Sequence, residues 1–296
     1  MRSMPRTSSV SAVGGFRVLP NARRLPSGIG ALILLAACAG ATSTRAATQP
    51  DSPSDFRVAG DPESASGATW TFSGRVDGVE YDLTGVLLKP PGPGPFPAVI
   101  LSHGAKGSAA LFGSMIGPTM RGWGLVCIAP NYTHAAGVPM GKPGDASERG
   151  ASHANVLRAH MTHELLRRLG YVDMARVAVH GHSMGAYVDA ALVSEYPDDF
   201  RAASSTGGGV RPDFIVAGPA PSPRQVRGVR TPYQMHHGDA DTVVPLSYDQ
   251  RFDALLAALG VPHELDVYPG ADHLAVRLSP VMLDRVHAWY GAHGMF

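Results

Sequence analysis

Short apolar runs alternate with longer helical segments along most of this chain. Residues 98–102 (AVILS) are apolar at nearly every position, a pattern typical of a strand buried on both faces of a parallel sheet. Residues 153–169 instead place apolar side chains near every 3.6 positions, which predicts an amphipathic helix. Strand, helix and parallel strand form the repeating unit of such a sheet. The alternation therefore predicts one α/β domain with a mostly parallel sheet and helices on both faces.

The same criteria place the other elements. An opening hairpin is predicted over residues 70–76 and 81–89, around a polar Asp77-Gly78 turn. Strands are predicted over residues 98–102, 125–129, 177–180, 202–206, 232–236 and 264–268. Helices are predicted over residues 108–121, 153–169, 184–196, 248–259 and 280–292. Residues 131–150 are rich in Gly and Pro, which predicts a loop.

Composition excludes several classes of protein. The chain has 296 residues, of which 44% are hydrophobic and 17% charged, so it can bury a sizeable core and is neither disordered nor fibrous. The net charge of +1 is unevenly distributed, because six arginines precede position 47 and the first acidic residue is Asp51. The remaining chain carries 19 Lys and Arg against 24 Asp and Glu. An acidic body without a basic stripe argues against nucleic-acid binding.

The N-terminal segment has the features of an export signal. Residues 1–28 contain arginines and no acids, and residues 29–41 form an apolar run that is shorter than the about 20 residues of a membrane span. We therefore expect residues 1–46 to direct export to the periplasm, the cell envelope or the medium. Residues 35–38 (LAAC) resemble a lipoprotein cleavage box, in which Cys38 would be lipidated and give the protein its membrane attachment. Ordinary cleavage after Ala46 is the alternative, and both stay open.

The segment that follows is polar and rich in Pro, Ser and Ala. Residues 47–68 are therefore expected to form a linker, and residues 69–296 the folded catalytic domain. Cys127 lies in the apolar run LVCIA and is expected to be a buried, unreactive strand residue. Two cysteines in the whole chain provide no disulfide framework.

A short motif, GHSMG at residues 181–185, carries the first indication of chemistry. It fits the pattern G-x-S-x-G, follows the apolar run VAVH and precedes a predicted helix. A sharp turn from strand to helix leaves no space for Cβ atoms at Gly181 and Gly185. It raises the serine hydroxyl above the edge of the sheet. This context predicts Ser183 as a nucleophile.

A serine nucleophile needs a general base, and the base needs a carboxylate that orients it. His273 follows one predicted strand and precedes the last helix, which suits the base. Asp239 and Asp241 both follow the strand predicted over residues 232–236, so either could be the acid. The carboxyl ends of parallel strands meet at one edge of the sheet, where these side chains would lie near Ser183.

These motifs together resemble the α/β-hydrolase superfamily, whose acid loop often reads G-x-x-D-x-x-V-P. Gly238, Asp241, Val244 and Pro245 match that pattern. The resemblance therefore implies that Asp241 is the acid of the triad and that Asp239 is a solvated turn residue.

The resemblance also implies an oxyanion hole. In this superfamily one donor is the backbone N–H after the nucleophile, and the other comes from a loop that follows an early strand. Here these are the N–H groups of Met184 and Ala105, the latter in the loop Ser102-His103-Gly104-Ala105 after the strand AVILS. His103 is expected to shape this loop.

Within the superfamily the chain is most similar to the dienelactone hydrolase-like group. The similarity rests on residues 95–104 (PFPAVILSHG), on the acid loop and on the lack of a large cap insertion. Dienelactone hydrolases proper use a cysteine nucleophile, whereas position 183 is serine, so their lactone substrate is not implied. GHSMG followed by DTVVP is also similar, more loosely, to small secreted esterases of the cutinase and polyesterase kind.

We therefore expect a serine hydrolase that cleaves a small-molecule or polymeric carboxylic ester through an acyl-enzyme, with no cofactor. A peptidase of the prolyl-oligopeptidase type and a cutinase-like polyester hydrolase are the alternatives. A binding protein without activity is disfavoured, because all three triad residues are present.

Other polar and aromatic residues allow weaker expectations. His160 and His163 lie three positions apart on a predicted helix, and neither belongs to an HExxH or Cys/His pattern. We expect them on a polar helix face, and no metal is expected. Phe112, Trp123 and Tyr132 are candidate walls of a substrate pocket.

Overall fold

The computed structural model describes residues 55–76, 79–136 and 148–296. The expected export signal, Cys38, the Asp77-Gly78 turn and part of the predicted loop over residues 131–150 lie outside these ranges. The described strands are β1 (Asp55–Ala59), β2 (Ala68–Val76), β3 (Val79–Leu88), β4 (Phe96–Ser102), β5 (Val126–Pro130), β6 (Val172–His182), β7 (Ala202–Thr206), β8 (Tyr233–Gly238) and β9 (His263–Tyr268). The α-helices are α1 (Ala109–Gly122), α2 (His153–Arg168), α3 (Met184–Glu195), α4 (Leu246–Leu259) and α5 (Pro280–Ala292).

All nine of these strands form one sheet in the order β1-β2-β3-β5-β4-β6-β7-β8-β9. Strands β1, β2, β3 and β5 pair antiparallel, and β5, β4, β6, β7, β8 and β9 pair parallel. The predicted mostly parallel sheet, the opening hairpin and the five helices are confirmed.

Each face of the sheet packs against helices. One core contains residues from α2, α3 and α4, and the other contains residues from α1 and α5. Ile100 of β4 belongs to the first core, whereas its neighbours Val99 and Leu101 belong to the second. This double burial explains why strand β4 is apolar along its length. Cys127 is fully buried in the second core, as expected, and burial raises the pKa of its thiol.

The sheet begins earlier than the sequence indicated. Residues 55–59 were expected in a linker, and the folded domain was expected from Thr69, but β1 pairs antiparallel with β2 over five residues. Most of β1 is exposed, so it carries little hydrophobic pattern. Its one packing contact of note is Phe56, whose ring lies 6.3 Å from that of Trp70 in an edge-to-face arrangement.

The expectation of a polar helix face on α2 is wrong. His160 and His163 are 1% and 2% exposed. His160 Nε2 lies 3.2 Å from Asp199 Oδ2, and its ring stacks on Tyr196 at 3.6 Å. His163 Nδ1 lies 3.2 Å from Glu164 Oε1. Each of these two buried histidines thus has one ring nitrogen next to a carboxylate, which offsets part of the cost of its burial.

The remaining connections are short or irregular. Residues 207–232, between β7 and β8, contain turns but no helix. Within the described ranges, no helix combines the length and the apolar character that crossing a membrane requires.

Candidate active site

Four loops carry the predicted site residues to one edge of the sheet. His103 and Ala105 follow β4, and Ser183 lies between β6 and α3. Asp241 follows β8, and His273 follows β9. Because these strands are parallel, their carboxyl ends lie side by side, and residues distant in sequence meet above the sheet.

Ser183 occupies a strained turn. Its backbone has φ 57° and ψ −118°, a region that residues other than glycine rarely adopt. The Ser183 N–H donates to the carbonyl of Thr206 on β7 at 2.9 Å, which fixes the turn against the sheet. Strain of this kind persists only where the surrounding structure over-determines it, and it concentrates at functional sites.

The two glycines that flank the turn have no space for a side chain, as the sequence predicted. A Cβ atom on Gly181 would lie 2.4 Å from Asp189 Oδ2 and 2.6 Å from the carbonyl carbon of Gly185. A Cβ on Gly185 would lie 1.9 Å from the carbonyl oxygen of Ser102. The turn is thus pressed directly against the end of β4, where the loop with Ala105 begins.

The structure brings Asp241 and His273 together. Asp241 Oδ2 accepts a hydrogen bond from His273 Nδ1 at 2.6 Å, and the carboxylate is fully buried. Its other oxygen, Oδ1, accepts from the backbone N–H groups of Val243 and Val244, each at 2.8 Å. With both oxygens engaged, the carboxylate is fixed in the orientation that presents Nε2 of His273 away from it.

Asp239, the other candidate acid, has a different environment. It is exposed, and its Oδ1 accepts a hydrogen bond from the Gly270 N–H at 2.6 Å. This contact joins the loop after β8 to the loop that leads to His273. Asp239 therefore stabilises a turn and does not contact the histidine.

Ser183 and His273 line the same pocket, which has a volume of about 170 Å³. Most of the other lining side chains are apolar, and three of them are at least half exposed: Leu111, Val243 and Leu274. Phe112 lines the pocket as expected.

The two other aromatic candidates do not line it. Trp123 packs edge-on against His287, with the ring centres 4.9 Å apart. Tyr132 is buried, and its hydroxyl lies 2.9 Å from Ser102 Oγ.

The two residues predicted to supply oxyanion donors lie beside Ser183. Ala105 lines the pocket, and Met184 is the first residue of α3, whose N-terminus carries a partial positive charge. Along the described part of the chain, neither backbone N–H has a hydrogen-bond acceptor. Gly104 brings the loop close, since a Cβ there would lie 3.1 Å from that of Ser183.

His103 shapes the loop that carries Ala105, as expected. Its Nδ1–H donates to the carbonyl of Gly104 at 2.8 Å, and its Nε2 accepts from the Tyr132 N–H at 3.3 Å. Burial lowers the pKa of His103 to about 4, so the ring is neutral at neutral pH. A neutral ring that is hydrogen-bonded at both nitrogens is a rigid support and not a proton carrier.

Two further residues near His273, His182 and Arg277, were not among the predicted site residues. The ring of His182 lies 4.7 Å from that of His273, and burial, with the nearby His273 and Arg277, lowers its pKa well below the ordinary value. Arg277 lines the pocket, and its buried Nε has no hydrogen-bond partner among the described residues. It follows His273 by one turn in a short 3₁₀ helix, Val276–Leu278. An isolated arginine in a loop gives no sequence signal that distinguishes it from a solvated surface charge.

The sequence profile of the Dienelactone hydrolase family matches residues 83–280. This chain belongs to the dienelactone hydrolase family. The match begins within β3, extends past β9 and includes every candidate site residue, and it confirms the resemblance that the motifs indicated.

Individual relatives are more distant. The acylamino-acid-releasing enzyme of Homo sapiens is 25% identical over 235 residues, which cover 67% of this chain but 32% of that protein. The S-formylglutathione hydrolase from Agrobacterium tumefaciens is 18% identical, with a TM-score of 0.59 over 80% of this chain and 100% of that one. The esterase Est2 from Thermogutta terrifontis is 16% identical, with a TM-score of 0.54 over 74% and 92% of the two chains. The solved structures share the α/β-hydrolase fold with this chain.

Proposed function

We propose that this hydrolase cleaves carboxylic esters through an acyl-enzyme formed on Ser183. The observation that carries the proposal is the 2.6 Å contact between Asp241 and His273 beside a pocket that also contains Ser183 in its strained turn. A nucleophile, a base and an orienting carboxylate are the groups that acyl transfer to serine requires.

The reaction proceeds in two halves. His273 Nε2 takes the proton of the Ser183 hydroxyl as its oxygen attacks the ester carbonyl, and Asp241 stabilises the imidazolium. The negative charge that develops on the carbonyl oxygen is stabilised by the N–H groups of Ala105 and Met184, where one such donor contributes about 3–4 kcal/mol. His273 then protonates the leaving alcohol. A water molecule, deprotonated by the same histidine, releases the acid and restores the serine.

The pocket favours a small apolar acyl group. A volume of about 170 Å³ lined by Leu111, Phe112 and Met115 suits a short chain. Arg277 adds one positive charge to this wall and favours esters that also carry an anionic group. The exposed side chains at the rim are compatible with a polymeric ester as well.

Peptide hydrolysis is the second candidate, and one comparison favours it. The human relative is an acylamino-acid-releasing enzyme, and the matched region is 32% of its length. The same triad chemistry cleaves amides, so the two activities differ in the substrate that the pocket admits.

We also propose that residues 1–46 direct export. The mass of the mature protein recovered from cells separates the two cleavage sites. A lipid-bearing N-terminus at Cys38 supports the lipoprotein route, and a first residue at Ala47 supports ordinary signal cleavage.

The test of the catalytic proposal is a substrate panel with matched variants. We expect turnover of p-nitrophenyl acetate and butyrate that exceeds turnover of the octanoate, and loss of all turnover in Ser183→Ala. Ser114→Ala, an exposed serine on α1, serves as the matched control and should retain full activity. A fluorophosphonate probe should label the control and not Ser183→Ala. Turnover of N-acetylalanine p-nitroanilide in preference to every ester would favour the peptidase, and unchanged ester turnover in Ser183→Ala would overturn the proposal.

A further inference from the structure

A second histidine–aspartate pair lies buried directly behind Asp241. His237, on β8, has its Nδ1 2.7 Å from Oδ2 of Asp249, on α4. Its Nε2 lies 2.9 Å from the carbonyl oxygen of Val244. Both side chains of the pair are fully buried, so water does not compete for these contacts.

Both ring nitrogens of His237 face acceptors. A carboxylate oxygen and a peptide carbonyl oxygen can only accept hydrogen bonds, so each nitrogen has to carry a hydrogen. A neutral ring would direct a lone pair at one of the two oxygens. The contacts therefore fit an imidazolium. Burial alone lowers the pKa of His237, but the hydrogen bond and charge of Asp249, with the Val244 carbonyl and Asp241, outweigh burial and raise it.

His237 contacts the acid loop of the triad at two points. Its Nε2 lies 3.4 Å from Asp241 Oδ2, the same oxygen that accepts from His273. Val244 links the two groups a second time, because its carbonyl accepts from His237 while its N–H donates to Asp241 Oδ1. The buried ring thus holds the residue whose N–H binds the Asp241 carboxylate.

No further charged side chain among the described residues acts on His237 beyond Asp241 and Asp249. Tyr187 of α3, Tyr248 of α4 and Tyr233 of β8 lie near these carboxylates. Burial raises the pKa of Tyr187 and Tyr233, which are therefore neutral around neutral pH. The backbone N–H of Gly208 donates to Asp249 Oδ2 at 3.3 Å and completes the surroundings of that oxygen.

We propose that His237, held as an imidazolium by Asp249, is a positioning residue for the triad: it anchors Asp241 through Val244 and supplies the positive charge that balances a second buried carboxylate beside the base. The inference rests on the proposed function of Ser183, His273 and Asp241. Without that charge, Asp249 would add its negative charge to that of Asp241 beside the base, and the acid limb of the pH–rate profile would move to higher pH.

The kinetic test is the pH dependence of kcat/KM for p-nitrophenyl butyrate. In His237→Gln the acid limb should move to higher pH by about one unit, the effect of removing one nearby positive charge. kcat should fall by about 10-fold or more, as expected when a catalytic group is misplaced, while KM changes little. The double variant His237→Gln/Asp249→Asn removes both charges and should return the limb toward its original position.

His160→Gln is the matched control. His160 is equally buried and is also paired with a carboxylate, Asp199, but it lies on α2 away from the triad. It should lower stability without moving the limb. An equal limb shift in this control, or an unmoved limb in folded His237→Gln, would overturn the proposal.

A direct measurement removes the dependence on activity and on the folding of variants. In the ¹⁵N-labelled protein without substitutions at pH 7.5, both ring nitrogens of His237 should give imidazolium resonances. Resonances of a neutral tautomer would refute the inference. Because this readout needs no turnover, it separates failure of the His237 proposal from failure of the esterase proposal, which the fluorophosphonate probe tests.

Discussion

Replacing Gly185 by alanine tests whether contact between the turn at Ser183 and the end of β4 maintains the catalytic geometry. Alanine is the better helix former by about 1 kcal/mol, so propensity alone predicts that the variant is more stable. The new Cβ, however, would lie 1.9 Å from the carbonyl oxygen of Ser102 and 2.4 Å from its carbonyl carbon.

Both neighbours are backbone atoms, so no side chain can rotate away. To reach an ordinary contact of 3.4 Å, α3 and the end of β4 have to separate by about 1.5 Å. The two proposed oxyanion donors, Met184 and Ala105, lie on opposite sides of this contact, so the separation widens the site between them. A misplacement of about 1 Å can lower a rate about 100-fold.

We therefore expect kcat for p-nitrophenyl butyrate to fall by about 100-fold or more in Gly185→Ala. The thermal midpoint should also fall, because overpacking costs about 1–3 kcal/mol. Gly122→Ala is the matched control, since Gly122 ends α1 and a Cβ there meets nothing within 4 Å. It should keep full activity with an equal or higher midpoint. Activity within a few-fold of the original in Gly185→Ala, with an unchanged midpoint, would refute the packing argument.

Two further predictions follow from the site and its surroundings. Asp241→Asn should lower kcat by about 10⁴-fold, the magnitude expected when a triad carboxylate is removed. In Asp239→Asn kcat should stay within a few-fold of the original value. Equal losses of kcat in the two variants would contradict the assignment of Asp241 as the acid. Burial lowers the pKa of His103, His134 and His180 to about 4, so between pH 6.5 and 4 the unfolded chain binds protons that the folded chain does not. In urea titrations the free energy of unfolding should therefore fall by at least about 2 kcal/mol from pH 7.5 to pH 4.5. His180→Gln should reduce this loss. A free energy of unfolding that is independent of pH in this range would contradict the prediction.

The central sheet was predictable because burial on both faces leaves a clear apolar pattern in its strands. Strand β4 contributes alternate residues to two cores, so it is apolar at nearly every position. The order of strand ends then places a serine, a histidine and an aspartate at one edge. Position along the chain and the direction of the strands predicted that Ser183 and His273 meet at this edge with either Asp239 or Asp241, and the resemblance to the superfamily selected Asp241.

The parts that sequence missed depend on tertiary partners. Strand β1 is mostly exposed, and it forms because it can pair with the edge of β2. Backbone pairing of this kind leaves no periodic pattern in residues 55–59. His160 has the spacing of a polar helix face, yet Asp199, from the turn before β7, makes its burial tolerable. His237 and Asp249 each look like ordinary polar residues, and their contact becomes visible when α4 packs onto β8.

The proposed triad extends from the middle of the sheet to one of its edges. Ser183 follows β6, in the middle of the sheet, whereas His273 follows β9, the outermost strand, which pairs with β8 alone among the described strands and is partly exposed along its length. Edge elements open with less free energy than the interior they border. Strand β9 contributes Leu265 to the margin of one core and Tyr268 to the margin of the other, whereas most residues of both cores lie elsewhere. Detachment of β9 would carry His273 away from Ser183, so under the proposed mechanism we expect activity to be lost before the optical signature of folding.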